Sequence, residues 1–149
     1  MAASAWAFYN MFKEYMADGT IDLDTSVFHM ALYLSSSNAG TVTNSTRTQL
    51  TNEVANSNGY ATGGKQLSGV TWGQGASAGE RRWDATAKIW SASGGSISGV
   101  KYAVIYQSGA SAGAQKLVCY SQLSTAAFSI TDGNTLTITP SANGIFELN

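Results

Sequence analysis

Two copies of the pentapeptide GASAG, at residues 75–79 and 109–113, match the G-x-S-x-G pattern of serine hydrolases. In those enzymes the serine lies between a strand and a helix, and it needs a histidine and an acid as partners. Here a segment with strand character follows each copy, and the single histidine, His29, could serve one serine at most. We therefore interpret both copies as similar flexible loop tips between strands.

Two glycine-rich stretches match nucleotide-binding patterns only in part. Residues 59–65 approach a phosphate-binding loop, but Gln66 stands where the pattern needs a hydroxyl group to hold the metal. Residues 73–78 loosely match a dinucleotide fingerprint, which should open a helix. The segment that follows, residues 80–84, is more typical of a strand. The sequence thus predicts no cofactor.

The remaining reactive side chains also favour structural roles. Asp18, Asp22 and Asp24 carry the oxygen ligands that hard cations prefer, but their spacing does not match a calcium-binding EF-hand loop. We interpret them as polar residues of turns and of the entry to a strand. His29 is interpreted as a structural or interface histidine, and Cys119 as a small buried apolar residue. We predict no metal site, no catalytic residue and no enzymatic activity.

Hydrophobic periodicity predicts one helix followed by many strands. Residues 4–17 carry aromatic side chains at helical spacing, and Ser4 can cap the start. From residue 28 the period changes to two, with apolar residues at 28, 30, 32 and 34 on one face. Another apolar stripe is formed by residues 100, 102, 104 and 106. Further strands are predicted at 67–72, 80–89, 99–107, 115–123, 127–131, 134–140 and 144–148.

This pattern predicts a mainly β fold, as an antiparallel β-sandwich or a jelly-roll-like barrel with one N-terminal α-helix. No linker divides the chain, so we predict a single domain over residues 1–149. Its parts are an N-terminal helix at 1–18 and a β domain at 26–149.

The chain carries few charges. Asp, Glu, Lys and Arg make up 11% of the 149 residues, against about 25% in typical globular proteins. Since interface cores are depleted of charge, this composition favours a homo-oligomer or larger assembly. A neutral but exposed surface is the alternative. The net charge of -1 and the scattered basic residues argue against nucleic acid as a partner. No segment is long and apolar enough to predict a membrane span.

Aromatic side chains are numerous for a domain of this size, and three roles remain open for them. They could fill the core, form a subunit interface or make a platform for glycans. The residues concerned are Trp72, Trp83, Trp90, Tyr60, Tyr102, Tyr106 and Tyr120.

The order of short motifs along nearly the whole chain resembles that of small virion structural proteins of tailed bacteriophages. The likeness begins with Phe8-Tyr9-Asn10-x-Phe12-Lys13 and ADGTIDLDT at 17–25, and it closes with GIFEL at 144–148. Between them stand FHMAL at 28–32, NEV at 52–54, GYATGG at 59–64, GVTW at 69–72, IWS at 89–91 and YAVIY at 102–106.

The resemblance implies a non-enzymatic particle component, made in the host cytoplasm and incorporated into the virion. We expect a capsid decoration, or cement, protein whose partners are the major capsid protein and copies of itself. A tail or fibre-associated virion protein is the alternative within the same class. A carbohydrate-binding β-sandwich is the alternative from a different class.

Two segments are predicted to dock onto the particle, one from the helix and one from the repeated loops. Deleting residues 1–17 is then expected to leave a folded β domain that no longer binds its particle. The predicted interface residues are Trp6, Phe8, Tyr9, Phe12, Ala76, Ser77, Ala110 and Ser111.

Overall fold

The computed structural model describes residues 4–149 of the chain. It confirms the predicted mainly β fold, with antiparallel sheets and one short helix, in a β-sandwich-like arrangement. No helix in the described part is long and apolar enough to cross a membrane. In chain order the elements are β1 (Ala7–Phe8), α1 (Phe12–Ala17), β2 (Phe28–Leu34), β3 (Lys65–Gln66), β4 (Thr71–Gln74), β5 (Arg81–Asp84), β6 (Lys88–Ser91), β7 (Ile97–Gln107), β8 (Leu117–Gln122), β9 (Phe128–Ile130), β10 (Thr135–Ile138) and β11 (Phe146–Leu148).

The largest sheet has the strand order β1-β8-β7-β2-β3, and β9 also pairs with β7. A three-stranded sheet, β11-β5-β4, and the pair β10-β6 complete the architecture. The main core lies between these sheets, where Phe28 of β2 packs edge-on against Trp83 of β5 with ring centroids 4.8 Å apart. Trp90 of β6 is fully buried in the same cluster.

Both faces of β2 are buried. Phe28, Met30 and Leu32 enter the main core, as the two-residue period predicts. On the opposite face Ala31 and Tyr33 belong to a second, smaller core. The long connection between β2 and β3 covers this second face, so the face that carries mixed residues in the sequence is not open to solvent.

The predicted stripe of residues 100, 102, 104 and 106 is wrong at its first member. Val100 lies in the main core, whereas Tyr102, Val104 and Tyr106 lie on the second face. The pairing of β2 with β7 shifts its register between Tyr33 and Leu34. Such a bulge inserts one residue and exchanges the faces of the residues beyond it.

The predicted N-terminal helix is wrong for its first two turns. Within the described residues the helix comprises only Phe12–Ala17. Before it the chain runs along β8, where the N–H of Ser4 donates to the carbonyl of Gln122 at 2.8 Å. The Ser4 hydroxyl accepts the N–H of Gln122 instead of capping a helix. The segment satisfies main-chain groups that would otherwise form an open sheet edge, so it is part of the β domain.

The predicted strand over residues 80–89 is two strands. Residues 85–87 separate β5 from β6, and the two strands pair in different sheets. Because both halves carry a buried tryptophan and alternate in burial, the sequence pattern does not show the break between them.

Candidate docking surface and buried polar cluster

The predicted interface residues of the N-terminal segment are divided by their burial. Tyr9 and Phe12 are fully buried, whereas Trp6 and Phe8 are half-buried. The Tyr9 hydroxyl donates to the carbonyl of Ala39 at 2.6 Å, and the ring of Phe12 stacks on Phe8 at 5.3 Å. The predicted docking role is therefore corrected for Tyr9 and Phe12, since their side chains belong to the core. Because removal of residues 1–17 would take these two side chains out of the core, we now expect this deletion to destabilise the domain.

The first repeated loop, residues 75–79, is the tip of the hairpin between β4 and β5. The N–H of Gly75 donates to the carbonyl of Glu80 at 3.0 Å, which closes the hairpin. The Glu80 carboxylate accepts the N–H of Ser77 at 2.8 Å. These bonds hold the tip while leaving the side chains of Ala76 and Ser77 exposed.

The second repeated loop, residues 109–113, connects β7 to β8. The carbonyl of Ser111 accepts the N–H groups of both Ala114 and Gln115, which forms a compact turn. The side chains of Ala110 and Ser111 are exposed. Both loops are thus exposed, small and uncharged at their tips, and the four residues predicted there lie on the surface.

His29 has an environment of rings and a cation. It is half-buried on β2, and its imidazole lies 5.7 Å from the ring of Tyr106. Burial lowers the pKa of His29; a hydrogen bond with the Gly63 backbone raises it and the nearby Arg47 cation lowers it again. Within residues 4–149 neither Ser77 nor Ser111 hydrogen-bonds to this histidine, and the G-x-S-x-G pattern is here a turn between strands.

A partly buried polar cluster joins the connection between β2 and β3 to β7 and to the loop before β8. We call it the Arg47 cluster; it comprises Arg47, Glu53, Tyr60, Tyr106 and Gln115. The Arg47 guanidinium donates to the Glu53 carboxylate at 2.7 Å and to the Gln115 side chain at 2.9 Å. Its centre also lies 5.2 Å from the ring of Tyr106, within the range of a cation–π contact.

The Glu53 carboxylate is the centre of this cluster. Its second oxygen accepts the Tyr60 hydroxyl at 2.8 Å and the N–H of Gly63 at 2.6 Å. The Tyr106 hydroxyl donates to the carbonyl of Gly63, and the Tyr60 hydroxyl accepts the N–H of Leu32. Burial and the Glu53 charge raise the pKa of Tyr60 well above its usual range. The cluster fixes the long connection to the sheet.

No pattern in the sequence predicts the Arg47 cluster. Arg47 and Glu53 lie in a stretch of ambiguous periodicity, and their partner Gln115 is far away in sequence. The only local signal is their spacing of six residues, which predicts no contact in either a helix or a strand. Two further carboxylates, those of Glu80 and Glu147, lie beside Gly75, where a Cβ atom would meet both side chains. Glu80 caps the loop there.

The aspartates after α1 stabilise turns. Asp18 accepts the N–H of Thr20 at 2.8 Å, and Asp22 accepts the N–H groups of Asp24 and Thr25. These hydrogen bonds lower the pKa of Asp18 and of Asp22. Within residues 4–149 no group of three or more His, Cys, Asp and Glu side chains could hold a metal ion.

Neither of the two nucleotide-binding patterns lies between a strand and the start of a helix, as nucleotide binding requires. Residues 61–64 form a turn that leads into the two-residue strand β3. The Lys65 ammonium donates to the carbonyl of Ile89 at 2.7 Å. The stretch at 73–78 runs from β4 into a hairpin and opens no helix.

Most of the aromatic residues fill the core. Trp83 and Trp90 are fully buried, and so are Tyr60 and Tyr106 to within a few per cent. Trp72 is half-buried at a groove of about 370 Å³, which the side chains of residues 16, 21 and 23 also line. An exposed row of tryptophans, as a glycan platform requires, therefore cannot include Trp83 or Trp90.

No family model, no curated protein and no solved structure matches this chain. The resemblance to phage virion proteins accordingly stays a prediction from the sequence.

Proposed function

We propose that this chain is a non-enzymatic virion structural protein, and specifically a decoration protein on the outer shell of a tailed phage. The observation that supports this role is the pair of exposed, uncharged loop tips at residues 75–79 and 109–113. They are the predicted docking residues that the fold leaves on the surface, together with the half-buried Trp6 and Phe8.

Small neutral side chains suit contacts that are individually weak and repeated many times. They lose little hydration when a neighbour covers them, and few flexible charged side chains need to be ordered. A decoration protein attaches at many places on one shell, so each modest contact adds to the strength of the whole. The proposed partners are the major capsid protein and further copies of this chain.

Binding to shells tests the loop tips directly. The double variant Ala110→Lys/Ser111→Glu adds one charge of each sign to an exposed tip and leaves the net charge unchanged. We expect attachment to purified undecorated capsids to be at least about fivefold weaker in a co-sedimentation assay, because about 1–3 kcal/mol of desolvation is added per site.

A matched control is Thr125→Lys/Ala126→Glu, at an exposed turn outside the predicted surface. Both double variants should keep the melting temperature of the wild type. Equal binding by the loop variant and the control would contradict a docking role for this loop.

The number of copies in purified particles separates the alternatives. Hundreds of copies per particle support decoration of the shell, and a handful supports a tail or fibre-associated role. Complete absence from particles would overturn the virion proposal and favour the carbohydrate-binding alternative, for which glycan affinity of the isolated domain is the test.

A further inference from the structure

The sheet β11-β5-β4 ends at β4. Across the hairpin the N–H of Gly75 donates to the carbonyl of Glu80, so Gly75 faces β5. Because main-chain groups alternate along an antiparallel strand, Gly73 also faces β5, while Trp72 and Gln74 direct their N–H and C=O groups outward. The neighbouring strand shows the same alternation of inward and outward main-chain groups. Trp83 lies opposite Trp72, and its carbonyl points away from β4 and accepts the N–H of Ile145.

The outer edge of β4 is short, but it carries no charge, no proline and no bulge that would prevent pairing. Exposed edges normally have lysine, proline or a bulge that prevents pairing with another chain. β4 consists of Thr-Trp-Gly-Gln, has no charge, and exposes every residue except the half-buried Trp72. In residues 4–149 no loop hydrogen bond reaches the main chain of Trp72 or Gln74. The edge is therefore free to pair.

Gly73 has no explanation within its own chain. It is absent from the residues with positive φ, so the backbone there suits any amino acid. A Cβ atom added to Gly73 would meet no other atom within 4 Å. Glycine weakens a strand and often marks a position where another backbone approaches closely. The fold of the chain itself therefore does not require glycine at this position.

We propose that β4 pairs with β4 of a second copy, antiparallel and about a two-fold axis at Gly73. Trp72 of each copy then lies opposite Gln74 of the other, and the outward groups form about four main-chain hydrogen bonds. The two Gly73 residues form the closely spaced pair on the axis, with Cα atoms about 4.5 Å apart. The result is a continuous six-stranded sheet, β11-β5-β4 followed by its symmetry mate.

A second copy fits this edge because the strand is its own complement. A two-fold axis requires one surface to match itself, and an uncharged strand read in both directions does so. Arg82, the nearest cation on the face of Gly73, is turned away from β4 and donates to the carbonyl of Ala142 at 3.1 Å. The proposed function includes further copies of this chain as partners, and the β4 pairing specifies how two copies meet. It rests on the proposed function only for that self-association.

Sedimentation equilibrium of the isolated full chain is the first test. Because the paired strands are short, we expect weak association, with the mass rising from 15.6 kDa toward twice that value as the concentration approaches about 1 mM. A constant mass of one chain over this range would overturn the proposal. Shell binding is measured separately, so this failure leaves the decoration role standing.

Charges introduced at Gly73 test the position of the two-fold axis directly. In Gly73→Lys and in Gly73→Glu, like charges face each other directly across the axis, and each variant should associate more weakly than the wild type. A mixture of the two variants brings opposite charges together. We expect roughly tenfold tighter association in the mixture than in either variant alone. A mixture no tighter than its components would overturn the proposed axis.

Proline tests the outward N–H. Gln74→Pro removes a donor that β5 does not use, so the hairpin should remain while association is lost. The matched control is Thr137→Pro on β10. There Ala92 donates to the carbonyl of Asn134, so even-numbered residues face β6 and Thr137 faces away. Circular dichroism should report the wild-type fold for both variants. Wild-type association by Gln74→Pro would contradict the pairing.

Discussion

Replacing Glu53 by Gln should cost about 2–3 kcal/mol in the free energy of unfolding. The carboxylate accepts hydrogen bonds from Arg47, Tyr60 and Gly63, and a bond to a charged group contributes about 1.5–3 kcal/mol. Adding the contributions of these three hydrogen bonds would overestimate the cost, because the glutamine oxygen can still accept hydrogen bonds. In addition, the Arg47 and Glu53 side chains are each 15% exposed, so water screens part of the charge. Arg47 would be left without its counter-charge in a largely dry site.

Urea unfolding followed by tryptophan fluorescence measures this cost, since the buried Trp83 and Trp90 report loss of the core. Glu80→Gln is the matched control, because its carboxylate caps an exposed loop, and it should change the free energy by less than about 0.5 kcal/mol.

The double variant Arg47→Met/Glu53→Leu removes both charges together. It should lie closer to the wild type than Glu53→Gln does, because no unpaired charge remains. A cost below about 0.5 kcal/mol for Glu53→Gln, or a double variant less stable than Glu53→Gln, would refute the stabilising role of the Glu53 carboxylate.

Three further outcomes follow from burial. Phe12→Ala should lower the free energy of unfolding by about 3–5 kcal/mol, whereas Met11→Ala, at a side chain 39% exposed, should change it little in the same urea titration; equal effects would contradict the core position of Phe12. The thiol of Cys119 is fully buried and its pKa is raised, so Ellman's reagent should react with it only as the protein unfolds, and rapid reaction in native buffer would be inconsistent with this burial. The pKa of His29 is lowered in the folded state, so the unfolded chain binds the proton more readily. The free energy of unfolding should therefore fall as the pH drops through about 6.5. His29→Gln should remove this pH dependence from unfolding curves measured between about pH 5 and 8.

Local periodicity predicted most of the sheets because it reports burial on one face. Residues 28–34 and 134–140 alternate clearly, and both contain strands in the structure. The register shift at Tyr33 and the break at residues 85–87 left no trace in the pattern. A bulge depends on how two distant strands fit together, and the sequence of one strand does not record it.

The N-terminal segment is a second case in which the local sequence pattern does not determine the structure. Trp6, Phe8 and Phe12 fit both a helical stripe and a strand followed by a helix. The choice is made by β8, whose edge needs main-chain partners, and β8 is more than a hundred residues away. The loop tips could be predicted because glycine and small residues act locally. The Arg47 cluster could not, because its members meet only after the sheet has formed.

The pairing of β1 with β8 has a consequence for how the chain is made. Phe8 waits for Cys119, about 110 residues later in synthesis. At 5–20 residues per second that delay is roughly 6–22 s on the ribosome. Throughout this interval Phe8, Tyr9 and Phe12 lack the strand that later pairs with their segment, so this nascent segment exposes aromatic side chains. We expect chaperones that recognise exposed apolar segments to bind here during translation, and the fold to be completed only after β8 has emerged.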